Sequence, residues 1–389
     1  LGEKPFHTFL LLTEKPAQWR AWQLLPVPAV LATSAGLIWA GATGVQTLGW
    51  LVALGLLLFA LADWALLAIL PRQGVSFGPV QPPWLALTLL RWLVTLAASP
   101  FAIRWPFPAL LSLVVSQILV WVLALYGTVV EPFRLQVTHV EIASAKLPNP
   151  GRPLRIVQLS DLHVERLTRR ERALPSLVAQ LDPDLIVLTG DFLSTTYNQD
   201  LRSLDDLRTL LRQFRAPAGI FAVWGTAEVD RPDLLRPLLA GLGIKPLEDE
   251  AVEVTAHGHR LWLMGLNCTR DLAADGGRFR ELVAAAPPES FTLLLYHMPD
   301  LMPQAAHLGV DLFLAGHTHG GQWRVPGFGA ILTSSRYWKR YEAGRYREGH
   351  TYLYVSRGLG LEGFGAPRAR FLCPPEIVLV TITGKGDGR

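Results

Sequence analysis

The sequence predicts an α/β protein in two parts: an N-terminal transmembrane region of four helices, then a sandwich of β-sheets covered by helices. Two observations carry this. Half of the 389 residues are apolar and only 17% are charged, yet the apolar excess is local, because residues 21–130 hold only Asp63, Arg72, Arg91 and Arg104 as formal charges. From residue 154 onward, short apolar runs alternate with amphipathic segments, and several of the runs end on an Asp or a His.

A bilayer takes about 20 helical residues, and the stretches 24–40, 48–70, 84–103 and 108–130 fit. Pro26 and Pro28 make the first the weakest. The near absence of polar faces separates these helices from a soluble bundle. Trp22, Trp50, Trp84 and Trp105 lie near their ends, where interfacial anchors sit. Asp63 and Arg91 fall inside the second and third spans, each about two turns from the connecting loop. Antiparallel neighbours would set them at one depth, so an ion pair is the expected reading. Loop charges give the orientation. Lys4, Lys15, Arg20, Arg72, Arg134, Lys146 and Arg152 fall on one side and Arg104 alone on the other, which places both termini and the terminal domain in the cytoplasm of a multi-pass cell-membrane protein.

The expected boundaries are a membrane region at 1–130, a linker at 131–150 and a catalytic domain at 151–389. Within the linker, 137–142 alternates and reads as an edge strand, followed by a loop at 146–151. The domain then reads strand 154–159, helix 169–181, strand 185–188, helix 201–214 and strand 219–224. Strands 253–255 and 261–266 flank a hairpin turn at His257-Gly258-His259. Strands 291–296, 312–315, 352–355 and 376–383 complete the sheets.

Six side chains at strand ends carry the chemistry: Asp161 and His163, then Asp191, then His297, then His317 and His319. Ligands gather beyond strand C-termini in such folds. Carboxylate and imidazole together suit Mn, Fe or Zn, and an Asp shared by two such ions would make a two-metal phosphoester hydrolase. His7, His139, His307 and His350 are isolated and read as surface residues. Cys268 and Cys373 lack metal-ligand spacing. The net charge of +4 is largely Arg and suits phosphate or anionic lipid. The Arg residues are scattered and no aromatic-basic motif of the RNA- or DNA-binding kind appears, so nucleic acid is not an expected partner.

The segments Ser160-Asp-Leu-His163, Thr189-Gly-Asp191, His297 and Gly316-His-Thr-His-Gly-Gly-Gln322 resemble the calcineurin-like metallophosphoesterase superfamily. The tail, Ser356-Arg-Gly-Leu-Gly360 with Arg370-Phe-Leu-Cys-Pro-Pro-Glu-Ile377, is similar to its membrane-associated YkuE/YaeI-like branch. The resemblance covers residues 135–383. It implies a four-layer α/β/β/α sandwich holding two divalent transition-metal ions, with a metal-bound hydroxide as nucleophile. One ion would take Asp161, His163, Asp191 and His319; the other would take Asp191, His297 and His317 plus an Asn. The family's Gly-Asn-His-Asp/Glu motif here reads Gly225-Thr226-Ala227-Glu228. Thr226 replaces the Asn ligand, which weakens the second ion. Ala227 replaces the His that serves the leaving group, so the residue in that catalytic role is unassigned. Such a site favours phosphoanhydride or activated phosphodiester cleavage over simple alkyl monoesters, because a good leaving group needs acid catalysis least.

Two Arg-rich segments compete as substrate-binding candidates. Arg166, Arg169, Arg170 and Arg172 read as a solvated helix face. Arg336 and Arg340, in a run with Lys339, Arg345, Arg347, Tyr337, Trp338, Tyr341 and Tyr346, suit either phosphate or a membrane interface. The favoured reading is a membrane-bound phosphodiesterase or pyrophosphatase acting on a phosphoester that is lipid-linked or membrane-proximal. The alternative is a degenerate member that binds metal or phospholipid as a sensor or scaffold.

Overall fold

The fold described here is that of a computed structural model, over residues 15–147, 152–362 and 368–384. Lys4, His7 and the loop residues 148–151 lie outside the described residues. Those up to Val130, with Arg368 and Ala369, form one compact unit, and the others form a second.

The first unit is helical. A short turn, Ala21–Leu24, leads into α1 (Pro26–Thr43), followed by α2 (Gln46–Ile69), α3 (Gln81–Arg104) and α4 (Pro106–Leu125). Four helical segments, Trp22–Thr43, Gln46–Gln73, Gln81–Arg104 and Pro106–Phe133, are long and apolar enough to cross a membrane. Pro26 and Pro28 do not truncate the first. They occupy its opening turn, where the missing N–H groups have no intrahelical partner to lose. Asp63 and Arg91 are both fully buried and form a two-pronged pair, with Arg91 Nε at 2.6 Å and Nη2 at 2.8 Å from the carboxylate. Arg91 Nη1 donates to the Gln117 carbonyl at 2.8 Å and to its side-chain oxygen at 3.0 Å. The Gln117 amide returns bonds to Arg91 O and Thr95 Oγ1. This pair links three helices with its hydrogen-bonding capacity largely used, the arrangement a buried charge needs.

The second unit holds two six-stranded sheets. The first contains β1 (Gln136–Ser144), β2 (Leu154–Leu159), β3 (Leu185–Leu188), β4 (Ile220–Ala222), β5 (Ile244–Pro246) and β14 (Glu376–Gly384), in the order β1-β14-β2-β3-β4-β5. The second contains β6 (Glu250–Ala256), β7 (His259–Gly265), β8 (Phe291–Leu295), β9 (Leu312–Ala315), β12 (Gly344–Glu348) and β13 (Thr351–Val355), in the order β12-β13-β9-β8-β7-β6. A two-stranded ribbon, β10 (Arg324–Val325) with β11 (Gly329–Ala330), stands apart from both. The alternating stretch inside the expected linker is β1, an edge strand lying parallel to β14.

Side-chain alternation explains the layering. Leu185 and Val187 of β3 join Leu293 and Leu295 of β8 and Leu312 and Leu314 of β9 in a core between the sheets. The intervening Ile186 and Leu188 face outward onto α5 (Arg169–Gln180), α6 (Leu201–Leu211) and α7 (Pro232–Ala240). On the far side, Leu294 and Phe313 pack on α8 (Leu272–Ala284) and α9 (Met302–His307). The result is the four-layer α/β/β/α sandwich. Because β2, β3 and β4 run parallel in one sheet, and β7, β8 and β9 in the other, each set of strand ends opens on one edge of its sheet.

Candidate metal centre

The chain leaves β2, β3, β8 and β9 and within three residues reaches Asp161, Asp191, His297 and His317. The loops turn sharply. Asp161, His163, Asp191, His317 and His319 all have left-handed backbone, with φ of 49°, 39°, 55°, 69° and 51°. Non-glycine residues adopt that region at an energetic cost, and such strain concentrates where side chains must be aimed. Close backbone approach then brings the loops together. A Cβ on Gly190 would sit 2.5 Å from Gly225 Cα, and one on Gly225 would sit 2.0 Å from Asp191 Oδ1.

All six side chains converge. The donor atoms of Asp161, His163, Asp191 and His319 lie within 4.8 Å of one another, as do those of Asp191, His297 and His317. Asp191 belongs to both groups. His163 Nε2 and His319 Nε2 face each other at 3.0 Å, and His297 Nε2 faces His317 Nδ1 at 3.2 Å. Asp191 Oδ2 lies 3.2 Å from His297 Nε2 and 3.6 Å from His163 Nε2, and Asp161 Oδ1 lies 3.5 Å from His319 Nε2. Ring nitrogens that face one another in a buried space repel unless a proton or cation sits between them. This donor set therefore fits borderline divalent metals.

Neighbouring groups set the tautomers. His297 Nδ1 donates to the Thr189 carbonyl at 2.7 Å, which turns its Nε2 inward. His163 Nδ1 lies 2.9 Å from Glu362 Oε2, a carboxylate–imidazole contact of the kind that orients metal ligands. Burial would lower the His163 pKa, but Glu362 outweighs it and the pKa rises. Burial also opposes protonation of His297, yet Asp191 lifts its pKa to about 9. Burial and the adjacent His297 hold His317 down at about 3. Burial raises the Asp161 pKa. It acts the same way on Asp191, where the facing His297 overrides it and lowers the pKa.

The Thr226 position is now concrete. Its N–H and hydroxyl donate to Asp191 Oδ1 at 2.8 and 2.9 Å, so the side chain holds the shared carboxylate. Ala227 and Glu228 are exposed. Arg340 is committed to Glu348 at 2.6 Å and lies over the Tyr341 ring. The exposed Arg336 donates its backbone N–H to Asp300. The first Arg cluster is not a simple solvated face, since Arg170 is buried against Glu171 and Arg166 pairs with Asp200 and Ser203. His257 bonds to Asp184, and the buried His259 bonds to the Arg152 carbonyl.

Sequence reasoning missed three supports. Glu362 is one. Asp230 is another; it accepts the N–H groups of Asp191, Phe192 and Gly225 at 2.9, 2.8 and 2.7 Å and so fixes the β3 and β4 loops together. The third is the fully buried Arg370, whose guanidinium binds the carbonyls of Arg357, Gly358, Gly360 and Cys373. That holds the glycine segment against Asp161, where Gly360 N–H donates to Asp161 O at 2.7 Å. The only sequence signal was the motif-like spacing around Arg370. Cys268 and Cys373 are free and buried.

A family model for calcineurin-like phosphoesterases matches residues 154–321. The uncharacterized metallophosphoesterase YkuE of Bacillus subtilis is 30% identical over 264 residues, which is 66% of this chain and 88% of YkuE. Phosphodiesterase YaeI of Escherichia coli is 29% identical over 237 residues, 59% of this chain and 82% of YaeI. A transmembrane protein with metallophosphoesterase domain from Bos taurus is 30% identical over 250 residues, 58% of this chain and 53% of its own length. Members of this family use a dinuclear metal centre. The chain belongs to the calcineurin-like phosphoesterases, in the branch of YkuE and YaeI, and is a hydrolase acting on phosphoesters.

Proposed function

We propose that this chain is a multi-pass membrane enzyme that cleaves phosphodiester or phosphoanhydride bonds in a lipid-linked or membrane-proximal substrate. Two divalent cations would be seated among Asp161, His163, Asp191, His297, His317 and His319. The observation that supports this most is the meeting of six donors in two groups that share Asp191. The four helices within 1–130 would anchor the enzyme, and the loop charges favour a cytoplasmic catalytic domain at 151–389, with β1 of the 131–150 segment closing its first sheet.

Cations held there would polarise a phosphoryl oxygen and lower the pKa of a water molecule. The chain's own residues do the rest. Thr226 and Asp230 hold Asp191 and its loop, so the shared carboxylate is positioned before substrate arrives. Thr189 and Glu362 turn His297 and His163 inward. Ala227 supplies no proton, so the leaving oxygen departs unaided, which suits a phosphate or nucleotide leaving group.

The test uses the full chain in detergent with Mn and bis-p-nitrophenyl phosphate, beside Asp191→Asn and Ala227→His. Hydrolysis that needs Asp191 supports the enzyme. A silent parent with activity gained in Ala227→His would select the degenerate binder instead. Comparable turnover of an alkyl phosphate and a pyrophosphate-linked substrate would refute the leaving-group preference.

A further inference from the structure

The aromatic and basic run after His319 separates into two populations. Its tyrosines turn inward: Tyr341 is buried, with ring centroids 5.5 Å from Tyr337 and 5.4 Å from Tyr346, and all three pack on the outer core of the second sheet. Its apolar residues do the opposite. Seven large hydrophobic side chains are exposed among the described residues from 131 onward, and six of them are Val325, Phe328, Ile331, Leu332, Trp338 and Leu372. Only Leu201 lies elsewhere. Val325, Phe328 and Leu372 line one groove of about 450 Å³. Lys339 lies 3.5 Å from the centre of the Phe328 ring. Trp338 and Leu372 are also held at φ of 53° and 52°, a conformation that bulky residues adopt at a cost. Apolar side chains that are clustered, outward-facing and partly strained mark an interaction surface.

Charge identifies the partner. Residues 324–348 carry six basic side chains, Arg324, Arg336, Lys339, Arg340, Arg345 and Arg347, against Glu342 and Glu348, a net of +4. Two copies meeting face to face would bring these like charges together. The chain also has four helices able to cross a membrane, so a bilayer is always within reach of a tethered domain. Exposed apolar side chains with Lys339 against Phe328 and Arg324 in the same groove, on a segment of net positive charge, match the boundary between anionic headgroups and acyl chains.

We propose that the surface around Phe328 and Trp338 docks onto the anionic face of the bilayer. Ser334 donates to the His317 carbonyl at 2.8 Å, so the docked loop is bonded to the metal-centre loop. Docking would set the depth at which the centre meets a phosphoester in the headgroup layer. The docking rests on the membrane anchoring proposed above, and its consequence for catalysis rests also on the proposed reaction.

The test places the full chain in nanodiscs of phosphatidylcholine with phosphatidylglycerol. An environment-sensitive dye is attached at Phe328→Cys and, separately, at Leu201→Cys, the two native thiols being buried. Lipid spin-labelled near the headgroup should quench the dye at 328 and leave the dye at 201 bright. Quenching at 328 should fall in discs of phosphatidylcholine alone, and when salt rises from about 0.1 to 1 M, which shortens the screening length from about 10 to 3 Å. A second reporter at Leu332→Cys should lose its quenching when Phe328→Ser and Trp338→Ser are added. Equal quenching at 328 and 201, or none at 328, would overturn the proposal. So would disulfide cross-linking of two chains through Cys at 328 in place of lipid quenching. Quenching from lipid would refute nothing about catalysis, and loss of catalysis would not affect the quenching.

Discussion

Gly225→Ala is the sharpest test of how the strand ends assemble the site. Its Cβ would lie 2.0 Å from Asp191 Oδ1, 2.4 Å from Asp191 N and 2.8 Å from Asp191 Cγ. Real Cβ contacts essentially never fall below 3.0 Å, so the nearest atom must move by at least 3.0 − 2.0 = 1.0 Å. The carboxylate cannot simply swing aside, because Thr226 holds it through two hydrogen bonds and Asp230 holds the Asp191 backbone. A 1 Å displacement of a positioned group costs on the order of 10²-fold in rate, and overpacking costs about 1–3 kcal/mol of stability. Gly241→Ala is the control: φ is −64° there and the nearest contact would be 3.4 Å. Mn-dependent diester hydrolysis and thermal unfolding of both variants decide the matter. Gly225→Ala should lose about two orders of magnitude in kcat/KM, and Gly241→Ala should behave as the parent. Parental activity in Gly225→Ala would refute the claim that this contact positions Asp191.

Arg91→Met alone leaves the Asp63 carboxylate buried without its partner and should cost about 3–5 kcal/mol, whereas Asp63→Leu with Arg91→Met should recover most of the loss; thermal unfolding in detergent measures both, and a double variant as unstable as the single one contradicts a structural role. Glu362→Gln should weaken Mn binding roughly 10–100-fold through His163 without unfolding the domain, as read by calorimetric titration. His297 gives a pH signature. Its pKa is raised from 6.5 to about 9 in the fold, so the stability it lends the metal-free protein is complete below 6.5 and lost as pH rises through about 9. A cation must displace that proton, so metal affinity should climb over the same window. Affinity that stays flat from pH 6.5 to 9 would rule out His297 as a ligand.

Much of this was legible in the sequence, for local reasons. The helices of the first unit announce themselves by the scarcity of charge, and the strands that lead to Asp or His are short, largely buried apolar runs with the motif residues just beyond their ends. Elements with mixed signals were not legible. Helix α7 contains Pro237, α8 contains Gly276 and Gly277, and β12 is the polar stretch Gly-Arg-Tyr-Arg-Glu. Pattern could show which side chains bear the chemistry but not how they are aimed, because left-handed backbone at Asp161 or His317 leaves no periodic trace. The supports Glu362 and Asp230 act from loops, through contacts that only the folded chain creates. Thr226 read as a lost ligand; folding shows that it also braces the shared carboxylate.

The central claim is that distant carboxylates and imidazoles cage two cations around Asp191. Elemental analysis of the full chain, purified in Mn and freed of loose metal, measures this directly. The account predicts about two ions per chain, about one in His317→Ala, and less than one in Asp191→Ala. A parent without bound metal, or an Asp191→Ala variant that binds as much as the parent, would contradict it.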